Sequence, residues 1–254
     1  MRTTIAICQF DMAWCDVGAN LAKAERMTAG CDADVIVLPE MFATGFVTDS
    51  PSAAQRPDGA VVEWMKRTAA ARDCAVTGSA VIADGTRTVN RMLFVKPCGE
   101  IIWYDKRHLF SIGGEDEFIS AGSGRTVVEF RGVRYLLQIC YDLRFPVWSR
   151  NRGDYDAAIY SASWAAARRD AWNTLLRARA IENEAYVIGV NRTGADPAAC
   201  YAGDSVVVDY KGGEMAYAGA GECVATAVLD TDALVDFRRD FPAWRDADEF
   251  EIKL

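Results

Sequence analysis

YLLQICYDLR, at residues 135–144, is an apolar run that ends at Cys140 and turns polar directly afterwards. Such a run predicts a buried β-strand, and Pro146 favours the start of a short helix just beyond it. Most cysteines that close an apolar strand belong to a core, but the adjoining YDLRFP segment is too polar for the middle of one. A turn between a strand and a helix can present a nucleophile at the edge of a sheet. We therefore predict that Cys140 is a nucleophile.

Two other apolar runs end in the same way, at a charged side chain. DVIVLPE, residues 34–40, leads to Glu40, and IIWYDK, residues 101–106, leads to Lys106. The alternative is that both are solvated surface groups, which is the common environment of charged residues. A carboxylate among apolar neighbours can act as a base near neutral pH, and an ammonium beside it can stabilise a thiolate or a carbonyl oxygen. We expect the three strand ends to converge in one pocket.

Short β-rich runs alternate with longer amphipathic runs along the rest of the chain. Strands are predicted at residues 3–10, 34–38, 74–83, 88–95, 101–104, 126–130, 135–139, 157–161, 186–190, 205–209, 215–218 and 223–229. Helices are predicted at residues 19–29, 60–72, 146–151 and 169–185, and from residue 232. With most strands joined by hairpins, this pattern fits two sheets packed face to face with helices outside. No linker divides residues 1–254, so one domain is expected.

Composition excludes several classes of protein. The net charge of −8 disfavours nucleic acids and anionic membranes as partners. No apolar run approaches the ~20 residues of a membrane span, and the first residues read as a strand rather than as a signal peptide. We therefore expect a soluble, cytoplasmic protein.

The cysteine and histidine counts narrow the chemistry further. The eight cysteines include no CxxC pair, so we expect free thiols, with all but Cys140 packed in the core. The one histidine, His108, cannot build a zinc site of two or three histidines. A Cys-His peptidase pairing His108 with Cys140 remains an alternative, although the sequence shows no signature of an extended peptide groove.

The three reactive segments, taken with others in the same order, resemble the nitrilase superfamily of carbon–nitrogen hydrolases. The resemblance covers nearly the whole chain and is specific through its order and spacing. It rests on AICQFD (6–11), LPEMFATGF (38–46), YDKRHLF (104–110), ICYDLRFPVWSRN (139–151), ASW (162–164), LLRARAIENEAYVIGVNR (175–192) and GDSVVVD (203–209).

This resemblance implies an α+β fold, a four-layer αββα sandwich that pairs into a homodimer, and exposed Trp and Phe between residues 145 and 164 would suit such an interface. Carried over by position, it makes Glu40 the general base, Lys106 the electrostatic stabiliser and Cys140 the nucleophile, without a metal or cofactor. The second glutamate usual in the family is expected at Glu115, with Glu117 as the alternative, and His108 has a structural role.

Within the superfamily the chain is most similar to bacterial omega-amidases, which implies hydrolysis of the terminal amide of 2-oxoglutaramate or 2-oxosuccinamate. A carboxylate at the far end of such a substrate requires a cationic site in the pocket. Arg144 and Arg168 are candidates, although structural roles are the stronger expectation for both. The Tyr141 N–H is expected to bind the oxyanion, and Phe46 and Trp164 to wall the pocket. The alternatives are an N-carbamoyl amine hydrolase or a deaminated glutathione amidase.

Overall fold

The computed structural model describes residues 1–49 and 53–253. Its helices are α1 (Val17–Thr28), α2 (Ala60–Arg72), α3 (Glu115–Phe118), α4 (Pro146–Ser149), α5 (Arg169–Asn183) and α6 (Thr231–Asp240). Its strands are β1 (Arg2–Gln9), β2 (Val35–Val37), β3 (Ala75–Asp84), β4 (Arg87–Val95), β5 (Ile101–Asp105), β6 (Val127–Phe130), β7 (Val133–Ile139), β8 (Ala157–Ser161), β9 (Tyr186–Val190), β10 (Thr193–Ala195), β11 (Cys200–Ala202), β12 (Val206–Val208), β13 (Glu214–Tyr217) and β14 (Cys223–Asp230).

The strands form two six-stranded sheets, in the orders β14-β1-β2-β3-β4-β5 and β13-β12-β9-β8-β7-β6. Side chains of β1 alternate between two cores because successive residues of a strand point to opposite faces. Ile5 packs in the core that also holds Leu137 of the other sheet, whereas Ala6 packs in the core that holds Val61 of α2. The two sheets therefore lie between outer layers of helices, and the predicted α+β sandwich is confirmed.

Helix α5 lies close against the outer face of the second sheet. Gly189 of β9 makes this approach possible, since a Cβ at this position would lie 2.5 Å from a methyl group of Leu176. Trp172 of the same helix packs in the core of that sheet. The close packing fixes the segment that precedes α5, which lines the pocket described below.

The expectation that hairpins join most strands is wrong for the centre of each sheet. β1, β2 and β3 pair in parallel, as do β7, β8 and β9. Strands covered on both faces are apolar on both faces, so their sequences do not distinguish a hairpin from a crossover. The predictions also missed the β10–β11 hairpin, whose strands are only three residues long.

Two expectations about burial also fail. Cys15, Cys98 and Cys200 are exposed rather than packed in the core. The tryptophans between residues 145 and 164, Trp148 and Trp164, are 5% and 4% exposed. Neither tryptophan is therefore available for a subunit interface. None of the helices within residues 1–49 and 53–253 is long and apolar enough to cross a bilayer.

Candidate active site

Cys140 lies at the turn where β7 ends and a short 3₁₀-helix, Cys140–Arg144, begins. Its backbone has a φ of +45°, in the left-handed region that costs energy for a residue with a Cβ atom. The carboxylate of Asp142 holds the turn, because its Oδ2 accepts a hydrogen bond from the Ile139 N–H at 2.9 Å.

Asp142 also connects the Cys140 turn to the segment that follows β5. Its Oδ2 accepts from the Tyr104 hydroxyl at 2.8 Å, and its Oδ1 accepts from the His108 N–H at 3.1 Å and lies 2.8 Å from His108 Nδ1. Asp142 is fully buried, so these contacts compensate for its lost hydration. Lys106 lies within the segment that this carboxylate holds.

Lys106 lies between two carboxylates in a cluster that excludes solvent. Its Nζ donates to Glu40 Oε1 at 2.7 Å and to Glu115 Oε2 at 2.8 Å, and all three side chains have no exposed surface. Asn90 of β4 bridges the same carboxylates, since its Nδ2 lies 2.8 Å from Glu40 Oε1 and 3.0 Å from Glu115 Oε1. The structure thus brings together two of the three predicted strand ends by direct contact.

Each carboxylate of the cluster is also held by a backbone N–H. The N–H of Ser163 donates to Glu40 Oε2 at 2.9 Å, and the N–H of Phe110 donates to Glu115 Oε2 at 2.7 Å. Glu117, the alternative second glutamate, is exposed on α3. The structure therefore places Glu115, and not Glu117, against the lysine.

Burial and neighbouring charges shift the pKa values of the cluster. Burial raises the pKa of Glu40, the charge of Lys106 opposes this, and the charge of Glu115 adds to it. Burial lowers the pKa of Lys106, but Glu115 and Glu40 outweigh it and raise this pKa above its usual range.

The charges of Glu40 and Lys106 also act on the thiol of Cys140. Burial and the charge of Glu40 raise the pKa of the Cys140 thiol well above its usual value, although Lys106 and a hydrogen bond from the Ser163 backbone lower it. The raised pKa favours the thiol form of Cys140, which lies beside the Glu40 carboxylate.

A pocket of about 330 Å³ opens over Cys140. Its walls include every predicted substrate-binding residue: Phe46, Tyr141, Arg144, Trp164 and Arg168. The Phe46 ring also faces the cluster of Glu40, Lys106 and Glu115, with its centroid 5.4 Å from Lys106 Nζ. Phe46 and Trp164 therefore lie on the pocket wall, and both also pack against the hydrophobic core behind it.

Both candidate anchors expose a guanidinium to this pocket. Arg144 lies over the ring of Trp164 and Arg168 over the ring of Phe110, each 5.0 Å from the ring centroid. Arg144 makes no salt bridge to the nearby Asp142, because this carboxylate contacts Ile139, Tyr104 and His108 instead.

His108 lies outside the pocket of Cys140. Its ring stacks on Phe145 at 3.8 Å between centroids and borders a separate depression lined by Arg107 and Trp148. Since its Nδ1 faces Asp142, this imidazole is placed to support the turn rather than to deprotonate a thiol.

Comparison with known proteins agrees with this architecture. The carbon-nitrogen hydrolase family model matches residues 4–239. Omega-amidase YafV of Escherichia coli K12 is 45% identical over 251 residues, which cover 98% of each chain. This chain belongs to the carbon-nitrogen hydrolase family.

Other proteins similar to this carbon-nitrogen hydrolase support the same family and fold. A 2-oxoglutaramate amidase of Bacillus subtilis is 35% identical and covers 97% of this chain and 98% of its own. A superfamily protein of Xanthomonas campestris, solved with an arsenic adduct in its active site, matches all of both chains with a TM-score of 0.97 and 38% identity. Nit3 of Saccharomyces cerevisiae, of the nitrilase superfamily, matches with a TM-score of 0.86, 27% identity and 95% and 94% coverage. The resemblance recognised from sequence is confirmed, and the chain is an amidase acting on carbon–nitrogen bonds other than peptide bonds.

Sequence reasoning missed several residues of this carbon-nitrogen hydrolase site. Asn90 had one available signal, because asparagine is unfavourable in a strand and here lies inside the predicted strand 88–95. Ser163 contributes a backbone N–H, which no side-chain pattern reveals. Tyr201 reaches the pocket from the unpredicted β10–β11 hairpin. Among the residues that the structure describes, no group of three or more His, Cys, Asp or Glu side chains is arranged to hold a metal ion.

Proposed function

We propose that this amidase hydrolyses the terminal amide of a small keto acid, 2-oxoglutaramate or 2-oxosuccinamate, through a Cys140 thioester. The proposal rests on the lining of the pocket, which combines the thiol of Cys140 with the guanidinium groups of Arg144 and Arg168. The E. coli and B. subtilis relatives are named as an omega-amidase and a 2-oxoglutaramate amidase. A substrate with an amide at one end and a carboxylate at the other suits both features.

In the proposed first half-reaction, Glu40 removes the Cys140 proton as the sulfur attacks the amide carbonyl. The raised pKa values of both groups favour a thiol and a base that exchange one proton during attack. Lys106 stabilises the oxyanion together with the Tyr141 N–H, since the first N–H groups of a helix have no intrahelical acceptor. Glu40 then gives its proton to the leaving nitrogen, the C–N bond breaks, and ammonia departs.

The second half-reaction hydrolyses the thioester. Glu40 takes a proton from the attacking water, the C–S bond breaks, and the proton returns to the sulfur. Glu115 keeps Lys106 in place through both steps, because it contacts the ammonium and shares Asn90 with Glu40. At the far end, Arg144 binds the substrate carboxylate with a charge-assisted hydrogen bond, and Phe46 and Trp164 enclose the carbon chain.

Ammonia release from a panel of keto-acid amides, carbamoyl compounds and nitriles tests the proposal. We expect the fastest turnover with 2-oxoglutaramate or 2-oxosuccinamate, and loss of more than about 10³-fold in Cys140→Ala with an unchanged circular dichroism spectrum. Cys98→Ala, at an exposed thiol, is the matched control. A preference for a carbamoyl compound supports the N-carbamoyl amine hydrolase alternative, and wild-type turnover by Cys140→Ala removes the nucleophile from the mechanism.

We further propose a cytoplasmic homodimer. The free cysteines, three of them exposed, suit a reducing compartment. Ile181, Val235 and Phe241, on or next to α5 and α6, are 52%, 61% and 59% exposed, and exposed apolar clusters are typical of interfaces. Sedimentation at micromolar concentration tests the dimer, which a monomer at every concentration contradicts.

A further inference from the structure

Arg168 and Arg169 are adjacent in sequence but have opposite surroundings. Arg169 pairs with the buried carboxylate of Asp204, with its Nη2 2.8 Å from Oδ1. Within residues 1–49 and 53–253, the guanidinium of Arg168 has no salt bridge and lies at the pocket wall over Phe110. A solvated helix start does not explain why one arginine is paired and the other is directed to the pocket.

The backbone of Arg168 is fixed to the pocket wall. Its N–H donates to the Ala165 carbonyl at 3.0 Å, and its carbonyl accepts from Trp164 Nε1 at 2.8 Å. Trp164 in turn carries the guanidinium of Arg144 on its ring. Both guanidinium groups therefore lie against aromatic rings of the same pocket, and the backbone of Arg168 is tied to the ring that carries Arg144.

The pocket offers no acid to match these cations. In the part of the chain that the structure describes, no Asp or Glu lines the pocket, and Glu40 and Glu115 are held by Lys106 beneath it. A ligand group with a positive charge would therefore meet two cations and no counter-charge. A group with two adjacent oxygen acceptors would satisfy both.

We propose that Arg168 is a specificity-determining residue which, with Arg144, selects amides whose far end carries a carboxylate beside a second oxygen acceptor and rejects amides with an ammonium there. The inference rests on the proposed function, since it names the group at the second carbon of that substrate. Arg144 binds the carboxylate and Arg168 binds the neighbouring oxo group.

Three amides of equal chain length separate these contacts: 2-oxoglutaramate, glutaramate without the oxo group, and L-glutamine with an ammonium in its place. In Arg168→Gln we expect kcat/KM for 2-oxoglutaramate to fall about 10- to 100-fold, mainly through KM. Glutaramate should lose no more than about three-fold, as is usual for a distant exposed charge. In Arg168→Glu the ratio of glutamine to 2-oxoglutaramate turnover should rise above its wild-type value.

Arg67→Gln, at an exposed position on α2, is the matched control and should leave all three rates unchanged. An unaltered preference for 2-oxoglutaramate over glutaramate in Arg168→Gln overturns the inference, as does equal turnover of glutamine and 2-oxoglutaramate by the wild-type chain. If the wild-type chain hydrolyses none of the three, the proposed function is wrong and the inference falls with it. Because Arg168 is exposed, its replacement should not prevent folding.

Discussion

The bottom of the pocket and its walls differ in how their charged groups are paired. At the base, Glu40, Lys106 and Glu115 are fully buried and satisfy one another's charges. On the walls, Arg144 and Arg168 lie on aromatic rings without an acidic partner among the described residues. The charges beneath the pocket are therefore paired before a substrate arrives, because a buried charge without a partner is strongly destabilising. On the walls the positive charges are unpaired among the described residues, and in the proposed function the substrate carboxylate supplies the missing negative charge.

Lys106→Met should have the largest effect on activity and stability together, because it disrupts the buried cluster beneath the pocket. It removes the ammonium between two buried carboxylates and leaves Asn90 as their shared donor. We expect loss of most activity and a decrease of about 3–5 kcal/mol in the free energy of unfolding. Urea denaturation and ammonia release measure the two effects. Wild-type stability would mean that the carboxylates are not charged in the folded protein.

Glu40→Gln should remove the proposed general base and preserve much of the shape of the side chain. We expect kcat to fall about 10²- to 10⁴-fold. In the wild-type enzyme the base must be ionised, and its pKa is raised, so kcat/KM should rise with pH through a value above the usual 4.5 for glutamate. This acid limb should disappear in the variant. An unchanged acid limb in Glu40→Gln would assign the titration to another group.

Arg144→Gln should weaken substrate binding at the pocket wall and leave the buried Glu40–Lys106–Glu115 cluster unchanged. We expect KM for an anionic amide to rise about 10-fold or more while kcat changes less, because one charge-assisted hydrogen bond to the substrate is lost. The free energy of unfolding should change by less than about 0.5 kcal/mol. Steady-state kinetics with 2-oxoglutaramate measure the separation. Equal losses in kcat and stability would place Arg144 in the scaffold.

His108→Ala should have the smallest effect on activity. It removes a ring that stacks on Phe145 and faces Asp142, so we expect a decrease of about 1–2 kcal/mol in the free energy of unfolding and a modest change in rate. Activity of this variant toward 2-oxoglutaramate discriminates between the two mechanisms. Loss as large as that of Cys140→Ala would mean that His108 takes part in the reaction.

The sequence by itself determined the three strand ends at Glu40, Lys106 and Cys140, because apolar runs predict strands and an abrupt polar residue marks where a strand ends. The superfamily, and with it the four-layer sandwich, was recognised from the resemblance of several motifs in their order and spacing. The same local signals failed where strands are buried on both faces, so the parallel centres of the sheets and the short β10–β11 hairpin were missed.

Only the tertiary structure decided which groups meet. Asn90, Asp142 and the Ser163 N–H join the site through contacts between residues far apart in sequence. The Asn90–Glu40, Asp142–Tyr104 and Ser163–Glu40 contacts span 50, 38 and 123 positions. It also separated Glu115 from Glu117 and Arg168 from Arg169. Residues close together in sequence have nearly the same local sequence context, so sequence patterns cannot separate them. Their burial and charge pairing depend on the direction in which each side chain points.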